Sequence, residues 1–157
     1  MMLNRYDELD MNILSELSND ASISVPKLAK KLGINASVIY SRIKRLVKRG
    51  VIKYFTIVTN DEALGINVHA IIGINMDPKM RQNVRKEVSA IPEIRSIAEV
   101  SGRFDMLVTV GAKNLEDLHH IVMDKIGEIE GVSNTETFVE MHRYEKAYNF
   151  SPLIQNK

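Results

Sequence analysis

The chain has no cysteine among its 157 residues, which excludes disulfides, thiolate metal sites and cysteine nucleophiles. It has no long apolar run either. The longest, around Val68 to Met76, falls well short of the ~20 residues that span a bilayer. The opening Met1-Met2-Leu3-Asn4-Arg5-Tyr6-Asp7 lacks the apolar core of a signal peptide, so a cytoplasmic protein is expected. There is no glycine-rich phosphate loop, no Ser-His-Asp grouping and no paired-carboxylate motif. The four histidines are His69, His119, His120 and His142; the adjacent pair faces two directions on a helix and misses metal-ligand spacing. Eight methionines read as core gap fillers. No metal and no cofactor are expected.

The most informative absence is of charge of one sign. Residues 21–60 contain nine Lys or Arg and not one Asp or Glu. Residues 1–60 hold ten basic and five acidic side chains, a balance of +5, whereas residues 61–157 hold eleven and fifteen, a balance of −4. A basic front and an acidic back mean that only the front is suited to phosphate.

What is present in the front half is helical periodicity. Asp7 can cap a first helix to about Leu17, with Leu9, Ile13, Leu14 and Leu17 on one face, and Asn19-Asp20 breaks it. Ser24 and Pro26 open a second helix ending near Leu32. Gly33-Ile34-Asn35 is a sharp turn, with glycine for positive φ and Asn35 as the next cap. A third helix is expected over 36–49, stopped by Gly50. Ile39, Ile43, Leu46 and Val47 share one side of it; Ser37, Ser41, Lys44, Arg45 and Lys48 fall opposite, flanked by Val38, Tyr40 and Arg42. Two short helices joined by a fixed turn, one face all positive, suit a DNA major groove. The short polar side chains can approach base edges and the long cations can reach phosphates. After Gly50, Ile52, Tyr54, Thr56 and Val58 alternate with Lys53, Phe55, Ile57 and Thr59, which predicts a strand, the layout of a winged helix in which Lys53 touches the backbone beside the groove.

Residues 67–142 read as strand, helix, strand, strand, helix, strand. Strands are expected over 67–76, 94–101, up to Gly111, and over 132–141. Helices are expected from Asp77-Pro78 through Ala90 and from the Asn114 cap, the second with Leu115, Leu118, Ile121, Val122, Ile126 and Ile129 on its apolar side. The crossings at 90–96 and 128–134 resemble each other, and a doubled β-α-β unit is the ferredoxin-like arrangement. Ala70, Ile72 and Ile74 on one face and Ile71 and Gly73 on the other make both faces of the first strand apolar, which calls for a partner. The class is therefore α+β. The expected division is a winged helix-turn-helix domain at 1–60, a linker at 61–66 in which Gly65 permits a bend, and a ferredoxin-like domain at 67–157 whose tail, with Tyr144, Tyr148, Phe150 and Pro152, packs on its own or a partner domain.

On Leu9-Asp10, Ile13-Leu14, Leu17, Leu28-Ala29, Gly33, Arg42-Ile43, Leu46 and Gly50-Val51-Ile52 in front, and Gly102-Arg103-Phe104-Asp105, Gly131-Val132 and Thr135-Glu136-Thr137 behind, the chain resembles the leucine-responsive and asparagine regulator family (Lrp/AsnC). The likeness runs from Asp7 to Lys146. It implies a transcription regulator with a RAM- or ACT-like C-terminal domain that senses a small molecule, usually an amino acid, and assembles as homodimers into tetramers or octamers. In that family the Gly-x-Phe/Tyr-Asp turn lies where effectors bind between dimers. Here the amides of Gly102 and Arg103 suit a carboxylate, Asp105 an ammonium, and Thr135 and Thr137 complete the expected set. Family members often carry a basic residue between the first two helices; Ala21-Ser22-Ile23 offers none. Two other functions fit the same architecture: a sirohaem-decarboxylase-like enzyme, against which the acidic back half and the 102–105 turn speak, and an architectural DNA-packing protein with a specificity ratio near one.

Overall fold

The structure is a computed structural model that describes residues 6–144 and 146–150. Its elements fall into two compact units, one from the described residues of Met1–Val58 and Tyr144–Lys157, the other from Thr59–Arg143. The described tail residues group by compactness with the first unit, whereas the division expected from the sequence places them at the end of 67–157. Pro152 lies outside the described residues.

The first unit is three helices, α1 (Glu8–Asn19), α2 (Val25–Leu32) and α3 (Ala36–Lys48). Each start has a chemical cause. Asp7 accepts from the Asp10 N–H while the Asp10 side chain accepts from the Asp7 N–H, a reciprocal capping box. Ser24 accepts from Lys27 N–H, with Pro26 in the first turn, and Asn35 accepts from Ser37 N–H. α2 ends on Gly33 at φ 66°, the left-handed conformation that lets the turn into α3 close within three residues. Met11, Ile13, Leu14, Leu28, Ala29, Ile39 and Leu46 are buried as one core, and Phe150 from the tail packs on it. The Phe150 N–H donates to Ser15 Oγ at 3.1 Å, and its ring lies 4.6 Å from that of Tyr148.

Three expectations need correction. Residues 52–59 form no strand: a strand needs a ladder neighbour, and no described segment pairs with this one. Tyr54, Phe55, Ile57 and Val58 consequently stand exposed, while Ile52 alone folds back onto the helical core. Val47 is exposed rather than buried, because it lies about 80° around the helix from Ile39 where Leu46 lies about 20° away. Leu115 is exposed for the same reason, about 120° from Ile121.

The second unit begins with a 3₁₀ turn at Glu62–Leu64 closed by Gly65 at φ 78°. Asp61 pins this segment, accepting from Arg95 Nη1 at 2.6 Å and Thr59 Oγ1 at 2.9 Å. β1 (Val68–Met76), β2 (Ile94–Glu99), β3 (Met106–Ala112) and β4 (Val132–Val139) form one antiparallel sheet in the order β2-β3-β1-β4, with α4 (Arg81–Ser89) and α5 (Leu115–His120) as crossovers. A 3₁₀ turn (Pro78–Met80) leads into α4, and a π-helical stretch (Ile121–Ile126) continues α5. This is the ferredoxin-like order. Ala70, Ile72, Ile74 and Met76 of β1 meet Met106, Val108, Val110 and Ala112 of β3 under Val84, Val88, Leu118, Ile121, Ile126 and Ile129. Ile71 and Gly73 occupy the opposite face.

Candidate nucleic-acid interface and ligand-binding domain

α3 divides its side chains sharply. Ile39 and Leu46 are wholly buried, while Ser37, Ser41, Lys44 and Lys48 are exposed on the far side, together with Val38 and Tyr40. Lys44 and Lys48 enter no ion pair with any described residue. Lys53 is exposed in the unpaired segment beyond Gly50. Arg42 and Arg45 differ. Their guanidiniums turn back to α1, where Arg45 Nη2 donates to both oxygens of Asp10, at 2.9 and 2.6 Å, and Arg42 Nη1 donates to Asp10 Oδ1 at 3.1 Å and to Asp7. Burial pushes the Asp7 carboxyl up, but the Arg42 hydrogen bond, the Asp10 N–H and the two arginine charges outweigh it and hold the group below its ordinary value.

Asp10 is the residue that reading the sequence missed. It is fully buried, alone among the described polar or charged side chains. A signal was available: helical spacing puts Asp10 on the face of Ile13, Leu14 and Leu17, where an acid must find a cation.

In the second unit the expected effector residues separate. Thr135 and Thr137 stand opposite Ile74 and Ile72 and so share the helix-covered face of the sheet. Glu136 and Phe138 stand opposite Gly73 and Ile71 on the other face. The 102–105 turn belongs to that second face: Arg103 pairs with Glu136 at 2.6 Å, and the Phe104 ring meets Phe138 edge-on at 6.1 Å. Gly102, at φ 137°, adopts a conformation that side-chain-bearing residues rarely take. Asp105 is already engaged: its Oδ2 accepts from Met76 N–H at 3.0 Å, and its Oδ1 accepts from Arg81 Nη2 at 3.4 Å. Arg103 is thus held on the open face by Glu136, the Asp105 carboxylate is held by Met76 N–H and Arg81, and the two threonines lie on the helix-covered face. Thr137 instead borders a shallow cavity of about 180 Å³ with Leu115, Leu118, His119 and Val122. No group of three or more metal-binding side chains occurs among the described residues.

A capped helix-turn-helix with an exposed cationic second helix, followed by a ferredoxin-like domain, defines a class: DNA-binding transcriptional regulators with a ligand-binding domain. Residues 6–53 match the model of winged helix-turn-helix DNA-binding domains, and residues 69–150 match that of the Lrp/AsnC ligand-binding domain. The HTH-type transcriptional regulator FL11 of Pyrococcus furiosus is 38% identical over 85% of this chain and 87% of its own. Transcriptional regulator AzlB of Bacillus subtilis is 32% identical over 86% and 88%. Among solved structures, a Neisseria meningitidis transcriptional regulator in complex with L-Met superposes with a TM-score of 0.87 at 18% identity, covering 92% of this chain and 95% of that one. AsnC of Escherichia coli superposes with a TM-score of 0.82 at 24% identity, covering 90% and 95%. The chain belongs to the Lrp/AsnC family. It is a DNA-binding transcriptional regulator, not a decarboxylase of similar architecture. No helix among the described residues is long and apolar enough to cross a membrane.

Proposed function

We propose that α3 is the recognition helix, entering the major groove of cytoplasmic DNA with Ser37, Val38, Tyr40 and Ser41 toward base edges and Lys44 and Lys48 toward phosphates, with Lys53 beside the groove. The observation that carries this is the acid-free, exposed polar face of α3, opposite a side sealed into the core at Ile39 and Leu46. The DNA-binding part then comprises the described residues up to Val58. The experiment is selection of duplexes from a randomised library followed by footprinting. A dimer protects a pseudo-palindrome with half-sites about one or two helical turns apart, and Ser37→Ala or Ser41→Ala changes the preferred bases. Protection without sequence preference would assign the chain to the packing class.

The ligand is an amino acid in this reading, supported by the shared fold with a regulator solved as an L-Met complex. The free amides at Gly102 and Arg103 suit its carboxylate. The ammonium has to share Asp105 with Arg81, since that carboxylate is already occupied. The apolar lining of Leu115, Leu118 and Val122 makes the Thr137 cavity a second place where an aliphatic side chain fits. Copies of the chain associate through the sheet face bearing Ile71, Phe104 and Phe138.

A further inference from the structure

The positive face of α3 is not uniformly available to DNA. Two of its cations, Arg42 and Arg45, lie about 60° and 120° around the helix from Ile39, at the margin of the buried stripe. From there both reach one carboxylate. Asp10 is wholly inaccessible, receives three guanidinium contacts between 2.6 and 3.1 Å, and is tied through its Oδ2 to the N–H of Asp7. A carboxylate in that environment persists only if paired. A guanidinium that left it for a phosphate would remove part of the pairing that holds a buried charge, so the carboxylate competes with DNA for each arginine. Lys44 and Lys48, pointing away, face no such competitor among the described residues.

We propose that Asp10, with Asp7, is a positioning residue for DNA recognition: it occupies Arg42 and Arg45 in place of phosphate and so fixes which cations of α3 touch DNA. The consequence is specificity. Sequence-independent affinity grows with every phosphate neutralised, and it erodes the ratio between specific and random sites. Withholding two arginines per protomer keeps that term small and leaves the short side chains of Ser37 and Ser41 to choose the sequence. The same contacts clamp α3 to α1, so the angle at which the recognition helix is presented is set by the buried pair. This rests on the reading that the polar face of α3 meets DNA.

The test uses the full chain and two duplexes, one selected by the wild type from a randomised library and one scrambled to the same composition. Asp10→Asn keeps the side-chain volume and removes the charge. Expected are tighter binding to the scrambled duplex, a salt dependence steeper by up to about 0.9 per freed arginine, and a selected-to-scrambled ratio several-fold lower. Equal weakening on both duplexes with an unchanged slope would make Asp10 merely structural and overturn the proposal. Arg42→Gln, which leaves Arg45 on Asp10, is read in parallel and decides the matter alone if Asp10→Asn fails to fold. Its slope should match the wild type; a slope flatter by about 0.9 would mean that Arg42 holds a phosphate, contradicting the proposal. Failure of the underlying reading looks different: Lys44→Ala and Lys48→Ala would then leave the slope untouched.

Discussion

The ring of Phe104 lies flat against the backbone of Gly73, so close that a Cβ on Gly73 would fall 2.7 Å from three ring carbons. One residue of the 102–105 turn is thereby stacked on the middle of β1, and the turn is held over the sheet by an aromatic lid that only glycine admits. Gly73→Ala should displace Phe104 and with it the contact to Phe138. Overpacking of this kind costs about 1–3 kcal/mol, read as a lower denaturant midpoint. An unchanged midpoint would show that the ring is not seated there.

Assembly follows from the apolar groups left uncovered. Ile57 and Val58 are among the most exposed large apolar side chains of the chain, at 82% and 79%, and Phe138 is 45% exposed beside Ile71. Light scattering of the full chain should report dimers or larger even-numbered assemblies. Phe138→Lys should shift the distribution toward monomer while the far-ultraviolet spectrum is retained. A wild type that stays monomeric at micromolar concentration would contradict the sheet-face reading.

For the effector, a thermal-shift screen of the twenty amino acids should find at least one that raises the melting temperature, because a ligand that binds only the folded state stabilises it. Asp105→Ala should abolish that shift and loosen the turn, since Met76 N–H and Arg81 lose their acceptor. DNA affinity should stay nearly constant, as Asp105 lies outside the helix-turn-helix unit. Calorimetry giving the same ligand affinity in Asp105→Ala moves the site toward Thr137 and its cavity.

Much of this was legible beforehand, because the front half obeys local rules. Asp7, Ser24, Asn35 and Gly33 cap or end helices through atoms of their own neighbours, so position in sequence determines position in space. The four strands of the second unit were equally legible from their alternation. The wing was not, since the β-branched run at 52–58 shows that a segment can pair without showing what it pairs with. Which face each expected effector residue takes was not legible for a related reason. Thr135 and Glu136 are adjacent in sequence yet lie on opposite faces, and only the register with Ile74 and Gly73 tells which face is covered. The Asp10 pairing spans 32 and 35 residues, beyond the reach of any local pattern.

Acid should weaken both units. The Lys125 hydrogen bond holds the Glu93 carboxyl below its ordinary 4.5, and the arginines hold Asp7 below 3.8 despite its burial. A carboxylate whose folded value is depressed contributes stability above its unfolded value and loses it as pH falls through the folded one. The melting temperature should therefore be flat from neutrality to about pH 5 and decline below about pH 4. Glu93→Gln should lower the neutral-pH melting temperature and flatten part of the acid decline. If the acid limb of Glu93→Gln matches that of wild type, the Lys125 pair contributes nothing.

The proposed contact with DNA is through the α3 face carrying Lys44 and Lys48. It is tested most directly by the slope of log affinity against log salt for wild type, Lys44→Ala and Lys48→Ala on one selected duplex. The expected result is weaker binding and a slope flatter by up to about 0.9 per lysine removed in each protomer, with sequence preference retained. Unchanged affinity and slope in both variants would contradict the account and send the groove contact to another surface of the chain.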